Sequence, residues 1–592
     1  MSNIKRRHFI KLVAIAMQLL ASASVAIANS LKEGIQVKLP PTYPIDPNLA
    51  TTLERTIVPQ AEISGLTPKE LSKLSDYAKN GYGTWSFGPG LIAEIRDDLM
   101  PINFNGTDTR NALKLIHFFT ITDIHITDKE SPSQFIYLQQ SDPIGEHVTS
   151  IYSPVMPYTT HVLDAAVQTI NGIHQNNKMD FGLSLGDTCN STQFNEVRWY
   201  IDVLDGGLIT PSSGAHAGST TIDYQKPYKA AGLDKSIPWY QVIGNHDHFW
   251  LGSFPVNEYL RQSYVSDSVV ALGDAFKNIK NLYKPDFYMG VLDGSTSEAK
   301  IVGAGPVGNF KEPPKVTPDP ARRSLTKQEW MSEFFNTSSS PAGHGFNLVS
   351  AKDGFACYSF IPKSDLPLKV IVLDDTQNND DGSEDIHGHG FLDQARYDWL
   401  KRELAAGQAE GQLMIIAAHI PIAVEPEGSE VEWWLSPLNA VSLSGLITEL
   451  HHYPNLLLWL SGHRHFNTVK AFISPDPVQA PEKGFWQVET SSLRDFPQQF
   501  RTFEIYLNSD YSISIHTLNV DPSVRQGTPA AKSRDYAVAA QQIVKTRGVY
   551  QNPSSLPDPT IRSMPLGSYN AVLRKKLSAE MITRLQKEYV FS

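Results

Sequence analysis

Five short segments of this 592-residue chain concentrate side chains that bind hard and borderline cations. They are Asp123-Ile124-His125, Gly186-Asp187, Gly244-Asn245-His246-Asp247, His419 within Ala418-His419-Ile420-Pro421, and Gly462-His463-Arg464-His465. Carboxylate, imidazole and amide oxygen together suit first-row divalent or trivalent ions such as zinc, manganese or iron. One such residue says little by itself, because a lone Asp after a strand commonly caps a helix and a lone His commonly bonds within a core. Five ligand-bearing segments, most of them directly after a predicted strand, point instead to side chains gathered at one place. Glycine before Asp187, Asn245 and His463 lets the backbone turn sharply as it leaves a sheet.

The elements that would position these groups are legible as apolar runs and helical periodicity. Buried strands are predicted at Leu115–Ile121, Phe181–Leu185, Trp239–Ile243, Val370–Leu373, Leu413–Ala417 and Leu456–Leu460. Helices are predicted where Val162, Ala166, Ile170 and Ile173 recur, near Phe194–Leu204, and over Leu392–Leu404. Strands alternating with helices give a layered α/β domain, with loops at strand ends free to carry function. Residues 29–112 are rich in Pro, Gly and polar residues and read as an irregular arm. The stretch 251–365 loses regular pattern and reads as a long insertion at the rim of the site. Residues 523–592 read as a C-terminal extension, where Leu573, Leu577, Met581 and Leu585 fall four apart as an apolar stripe for docking on the core.

In this order the five segments resemble the signature of the calcineurin-like metallophosphoesterase superfamily: D-x-H, G-D, G-N-H-D/E, H, G-H-x-H. The resemblance spans roughly residues 113–520 and implies a four-layer α/β/β/α sandwich. It implies that Asp123, His125, Asp187 and His465 hold one metal ion, that Asp187, Asn245, His419 and His463 hold a second, and that Asp187 bridges them. Two cations about 3.5–4 Å apart clamp phosphoryl oxygens and make a nearby water acidic, which suits hydrolysis of phosphate esters. His246 would then protonate the leaving oxygen. Relatives with a tyrosinate ligand place Tyr where Asn190 stands, so that ligand is not expected here. Many others place Asp there to orient the histidine; Asn190 can bond His246 without offering charge, which implies a weaker acid–base. Some phosphodiesterase-like relatives share that Asn, so the resemblance leans slightly towards phosphodiesters. A phosphomonoesterase or nucleotidase is the alternative, and a non-catalytic scaffold of the same fold is a further one. Asp247, Arg464 and Arg494 are candidates for contacting substrate or bracing the ligands, Arg464 pointing away from its two histidine neighbours if the segment is extended.

Charge and composition narrow the classes. Hydrophobic residues form 41% and charged residues 19% of the chain, as in globular proteins. A net charge of −11 opposes non-specific nucleic-acid binding, so a nuclease is disfavoured. Lys5, Arg6, Arg7 and Lys11 precede an apolar stretch ending in Ala26-Ile27-Ala28, so residues 1–28 read as an export leader; Arg6-Arg7 resembles the twin-arginine type, although Lys5 stands where Ser or Thr is usual, and an ordinary secretory signal is the alternative. That reading implies the twin-arginine export machinery as a partner, a periplasmic or secreted mature chain without a membrane span, and the bacterial exported subgroup of the family. Cys189 and Cys357 cannot build a disulfide framework and are either one bridge or two buried thiols. Gly303-Ala304-Gly305-Pro306-Val307-Gly308 matches a dinucleotide fingerprint, but the prolines of 309–320 deny it the helix that would hold pyrophosphate. Asn379–Asp385 fails the spacing of an EF-hand and reads as a solvated acidic turn. His387 and His389, just before the helix starting near Leu392, read first as loop residues and only second as groups facing the cleft, whereas His161, His174, His451 and His452 are assigned to the fold.

Overall fold

Long alternating apolar runs need two covered faces, and the chain meets that need with two seven-stranded mixed sheets. The computed structural model describes residues 40–591 apart from 61–62, 107–108, 142–148, 150, 278–285, 379–386, 425–437, 545–560 and 563–567. The leader at 1–28 and the acidic turn at 379–385 therefore lie outside the described residues. In chain order the sheet strands are β1 (Glu94–Leu99), β2 (Asn111–Ile121), β3 (Phe181–Ser184), β4 (Trp239–Gln241), β5 (Tyr358–Phe360), β6 (Leu368–Val372), β7 (Leu413–Ala417), β8 (Leu456–Ser461), β9 (Thr468–Phe472), β10 (Phe485–Glu489), β11 (Phe500–Asn508), β12 (Ile513–Val520), β13 (Ile561–Arg562) and β14 (Ala571–Lys575). The main helices are α1 (Thr159–Asn176), α2 (Phe194–Asp205), α3 (Lys327–Glu333), α4 (Gln394–Ala409), α5 (Leu443–Leu450), α6 (Pro529–Val544) and α7 (Ala579–Glu588).

The first sheet has the order β1-β14-β12-β11-β2-β3-β4 and the second β5-β6-β7-β8-β10-β9-β13. Three neighbouring strands in each, β2, β3 and β4 in the first and β6, β7 and β8 in the second, run parallel. Period-two alternation distributes their side chains. Leu368, Val370, Val372, Leu413, Ile415 and Ala417 share one core with the first sheet. Ile371, Leu373, Met414 and Ile416 point the other way, onto Leu400 and Leu404 of α4 and Leu446 and Leu450 of α5. On the first sheet, Phe118 stacks between Phe181 and Phe503 at 4.7 and 4.8 Å. Phe181 meets Phe360 of the second sheet edge-on at 5.6 Å between ring centres, which fixes this as the inter-sheet face. Burying each such ring contributes about 1.5–3 kcal/mol. Val162, Leu163, Ala166 and Ile170 of α1, with Val197, Tyr200 and Ile201 of α2, join the same core from the helical side. The layers run α/β/β/α, as the sequence pattern and the resemblance led one to expect.

Two expectations are corrected. The segment before residue 113 is not wholly irregular, since β1 pairs in parallel with β14 at the edge of the first sheet, and Arg55–Pro59 pairs with Trp85–Pro89. The stripe from Leu573 to Leu585 docks on the core as expected, but it is divided between a strand and a helix. Leu573 sits in β14, where Ala571, Leu573 and Lys575 alternate as buried residues. The Ser578 side chain accepts from the Met581 backbone N–H and starts α7 only at Ala579, leaving Met581 and Leu585 as its buried face. Residues 42–592 form one compact unit. Within 251–365 lie a helix at Glu258–Val265, a hairpin of Phe287–Leu292 with Ile301–Pro306, and α3. The glycine-rich 303–308 stretch begins as a hairpin strand, so it opens no phosphate-binding helix. Cys189 and Cys357 are buried and unbridged. Among the described residues, no helix is long and apolar enough to cross a membrane.

A buried charge cluster ties the 251–365 segment to the second sheet. Asp374, directly beyond β6, pairs with Lys327 of α3 and, at 3.1 Å, with Arg396 of α4. Burial alone would raise its carboxyl, but Lys327 and Arg396 outweigh that and hold it below the usual carboxylate range. A depressed carboxylate stabilises the fold fully above its unfolded value of about 4, and that stabilisation drains away as pH falls through the folded value. Asp374→Asn is expected to lose about 3–5 kcal/mol at pH 7, because two cations keep their burial and lose their partner. Urea titrations at pH 7 and pH 3 check this, the gap between variant and parent narrowing at the lower pH.

Candidate metal centre

The C-terminal ends of the parallel strands are where the ligand types emerge. Asp123 and His125 follow β2, Asp187 follows β3, Asn245 to Asp247 follow β4, His419 follows β7, and His463 and His465 follow β8. Side chains at the carboxyl ends of parallel strands converge on one crevice, here between the two sheets. The turns are tight. Asp123, His125, Asp187, His463 and His465 all adopt left-handed φ, at 51, 47, 53, 74 and 64°. Such angles cost a non-glycine residue about 1–3 kcal/mol and persist where surrounding contacts over-determine them. Gly186, at φ 99°, has room for no side chain, as a Cβ there would sit 2.7 Å from both the Gly244 nitrogen and His419 Nδ1.

All seven sequence-predicted ligands come together. Asp123, His125 and His465 form one group and Asp187, His419 and His463 another, each with ligand atoms within 4.8 Å of one another. Asp123 Oδ1 lies 3.4 Å from His465 Nε2 and 3.9 Å from His125 Nε2. Asp187 Oδ2 lies 3.3 Å from His419 Nε2 and 3.7 Å from His125 Nε2, so it faces both groups. Asn245 Oδ1 sits 3.0 Å from His419 Nε2 and 3.2 Å from His463 Nδ1. His246 stands beside them, sharing a third group with His125 and Asp187.

The surrounding bonds leave the inward-facing atoms for a cation. Asp123 Oδ2 accepts from Thr122 Oγ1 at 2.7 Å and from the His463 backbone at 2.9 Å, while its fully buried Oδ1 has no hydrogen-bond partner. Asp187 Oδ1 accepts from the His246 backbone at 2.8 Å, which frees Oδ2 to face inward. His419 donates Nδ1–H to Leu185 O at 2.7 Å and His465 donates Nδ1–H to Asp495 Oδ2 at 2.6 Å, so both turn Nε2 inward. His125 and His465 bring Nε2 atoms within 3.2 Å of each other. Donor atoms packed this closely, with a buried carboxylate oxygen that accepts no hydrogen bond, fit a positive ion: hard oxygen and borderline nitrogen donors match manganese, iron or zinc.

Electrostatics agree with that reading. Burial opposes charge on His419 and His465, yet Asp187 in the first case and Asp123 in the second push each up to about 10. Burial lowers His125, and burial with His419 lowers His463, both well below the ordinary range. Burial would raise Asp123, but His465 and His419 hold it down. Burial also lowers His246, with Arg494 adding to the effect.

The remaining candidates take bracing positions. Asp247 accepts from the backbone N–H groups of Asp187, Thr188 and Gly244 at 2.8–3.0 Å, locking two ligand loops together. Asn190 does not orient His246 through its amide, as expected from its position. The ring Nδ1 donates instead to the Asn190 backbone carbonyl at 2.7 Å, and the Asn190 Oδ1 receives a long 3.5 Å contact from Arg494. Any residue type at 190 would supply that carbonyl, so the amide says little about acid–base strength. Arg464 turns from the ligands onto Glu489, with bonds of 2.9 and 2.6 Å. His387 and His389 stay outside the ligand groups, although the turn between them packs on the site: a Cβ at Gly388 would lie 3.1 Å from Asn245 Nδ2. His161, stacked 4.5 Å from Tyr228, and His174, bonded to Ser236 Oγ at 3.0 Å, serve the core.

Sequence reasoning missed three supports. Asp375 beyond β6 accepts from the backbone N–H of His419 at 3.2 Å and of Ile420 at 3.0 Å, and burial pushes its carboxyl up to about 7. Its place at a parallel strand's end, like that of Asp187, was the available signal. Ser492 Oγ donates to Asp123 O at 2.7 Å, and Asp495 holds His465; neither carries a local signal.

No protein-family model and no curated protein matches the chain. Among solved structures it is similar to a dimetal phosphatase from Danio rerio, with 10% identity, a TM-score of 0.34, and coverage of 69% of this chain and 97% of that one. It is similar to GAP50, the anchor in the inner membrane complex of Plasmodium, with 12% identity, a TM-score of 0.29 and coverage of 75% and 100%. It is also similar to the sulfate thiohydrolase SoxB of Thermus thermophilus, with 11% identity, a TM-score of 0.27 and coverage of 75% and 63%. These likenesses are loose. What the fold and site themselves define is a four-layer α/β protein with Asp, His and Asn side chains grouped so that they can hold metal ions.

Gly186→Ala is expected to fold less stably by about 1–3 kcal/mol through the left-handed strain, and to weaken metal uptake because the added methyl displaces His419. Calorimetric titration of the variant with Mn2+ checks the second effect, which a change in strain alone would leave untouched.

Proposed function

We propose that this chain is a hydrolase of phosphate esters that works with two metal ions. The observation that carries the reading is the placement of Asp187 Oδ2 within 3.3 Å of His419 Nε2 and 3.7 Å of His125 Nε2, between two groups of donors. Asp123, His125 and His465 would hold one ion, Asn245, His419 and His463 the other, and Asp187 both. When bound, such ions neutralise phosphoryl oxygens and lower the pKa of water at the site.

The chain's own groups do the rest. Burial of Asp123, Asp187 and His419 keeps bulk water from competing for these donors, so charges act at low dielectric. His246 has Nδ1–H committed to the Asn190 carbonyl, which leaves Nε2 to exchange a proton with the leaving oxygen. Its ring stands edge-on to His125 at 4.5 Å between centres, beside the ligands without being required as one. We also propose a slight leaning towards diesters, supported only by Asn190, which some phosphodiesterase-like relatives share, and export with removal of residues 1–28, supported by the basic head and apolar run of the leader.

Asp187→Ala is expected to lose both ions and all turnover, whereas His246→Ala keeps its metal content and turns over about 10²–10⁴-fold more slowly. Elemental analysis combined with bis-(p-nitrophenyl) phosphate hydrolysis separates the two variants. Equal metal loss in both would remove His246 from the acid–base role. Faster turnover of p-nitrophenyl phosphate would move the preference to monoesters, and metal-replete protein inert across a phosphoester panel would mark a scaffold.

A further inference from the structure

The groups that orient the candidate ligands differ in charge. His419 leans on a neutral backbone carbonyl, and Asn245 donates Nδ2 to the Gly252 carbonyl at 2.9 Å. His465 leans on a carboxylate: its Nδ1 is 2.6 Å from Asp495 Oδ2. Asp495 is itself well fixed. Its backbone N–H donates to Ser492 Oγ at 3.2 Å, the Thr149 side chain bonds its carboxyl, and Gln498 closes a turn onto its carbonyl at 2.7 Å.

The stretch from Ser491 to Gln499 fastens the site at several points at once. Ser492 Oγ donates to Asp123 O at 2.7 Å, and Leu493 N–H donates to Thr122 O at 3.3 Å. Gln498 Nε2 reaches Arg494 O and Ser533 Oγ of α6, each at 3.1 Å. Asp495 therefore arrives at His465 on a segment already bonded to the loop that carries Asp123. The two members of one ligand pair, Asp123 Oδ1 and His465 Nε2, are set relative to each other by one strap.

We propose that Asp495 is a positioning residue that fixes His465 in the Nδ1–H form, with the Nε2 lone pair aimed at the space beside Asp123 Oδ1, and so governs retention of the ion held by Asp123, His125 and His465. This rests on the two-metal reading above. A histidine free to rotate or to carry its proton on Nε2 offers no lone pair there, and outer-shell partners of this kind are worth about 10–100-fold in metal affinity. An ion on the His419 side would be held by groups that Asp495 does not orient, His419 being turned by Leu185 O, and should keep its affinity.

The test is calorimetric titration of the metal-free full-length mature protein with Mn2+, for the parent, Asp495→Ala and Asp495→Asn, with thermal melting of each metal-free form. Two binding events are expected in the parent. Asp495→Ala should weaken one of them about 10–100-fold and leave the other unchanged. Asp495→Asn, whose amide oxygen still accepts from Nδ1–H, should recover most of the loss. Equal affinities in parent and Asp495→Ala would overturn this inference while leaving the two-metal reading intact. A variant that loses both events, with a lowered melting temperature that Asn does not rescue, would overturn it too by assigning Asp495 to the fold. A parent that binds no Mn2+ would overturn the reading beneath it.

Discussion

Buried carboxylates and imidazoles crowded together demand positive charge among them, and this structure crowds them in a buried crevice. Asp187 Oδ2, Asp123 Oδ1 and the Nε2 atoms of His125, His419 and His465 each lie 3.2–3.4 Å from their nearest partner in the group. Much of the surrounding architecture makes sense as the means of forcing that crowding: two sheets whose parallel strands end together, five ligand residues held at left-handed φ, and backbone N–H groups that fix the outer carboxylate oxygens so that the inner ones stay open.

The cost of this arrangement is spread over the fold. Positive φ at five non-glycine positions is tolerated because each loop is bonded to another: Asp247 joins the Asp187 and Asn245 loops, Asp375 joins the strand ends of β6 and β7, and Ser492 joins the Asp123 loop to the segment after β10. Such cross-bracing lets strain persist at a site when the local sequence would prefer to relax. It also explains why the buried charges beyond β6 are paired, since Asp374 anchors the 251–365 segment through Lys327 while Asp375 next to it steadies His419.

The residues of the candidate site were legible because their identity is local. Asp, His and Asn directly after an apolar run announce themselves, and the strands at Leu115–Ile121, Leu413–Ala417 and Leu456–Leu460 end where periodicity says they should. What escaped was whatever depends on tertiary approach. Positive φ is signalled in sequence by glycine, so left-handed Asp123 or His465 leaves no trace. The partner of His246 is a backbone carbonyl, which no residue type encodes. Asp495 looks like any surface acid until the chain folds it onto His465. The edge strand β1 and its neighbour β14 were lost among Pro, Gly and charged residues, because an edge strand buries less of itself and shows weaker alternation.

The central proposal is that Asp187 would serve two cations at once. Anomalous X-ray scattering from crystals equilibrated with Mn2+ addresses it without reference to any substrate. The account predicts two peaks about 3.5–4 Å apart, flanking Asp187 Oδ2, one beside Asp123 and one beside His463. A single peak, or ions bound only away from Asp187, would contradict it.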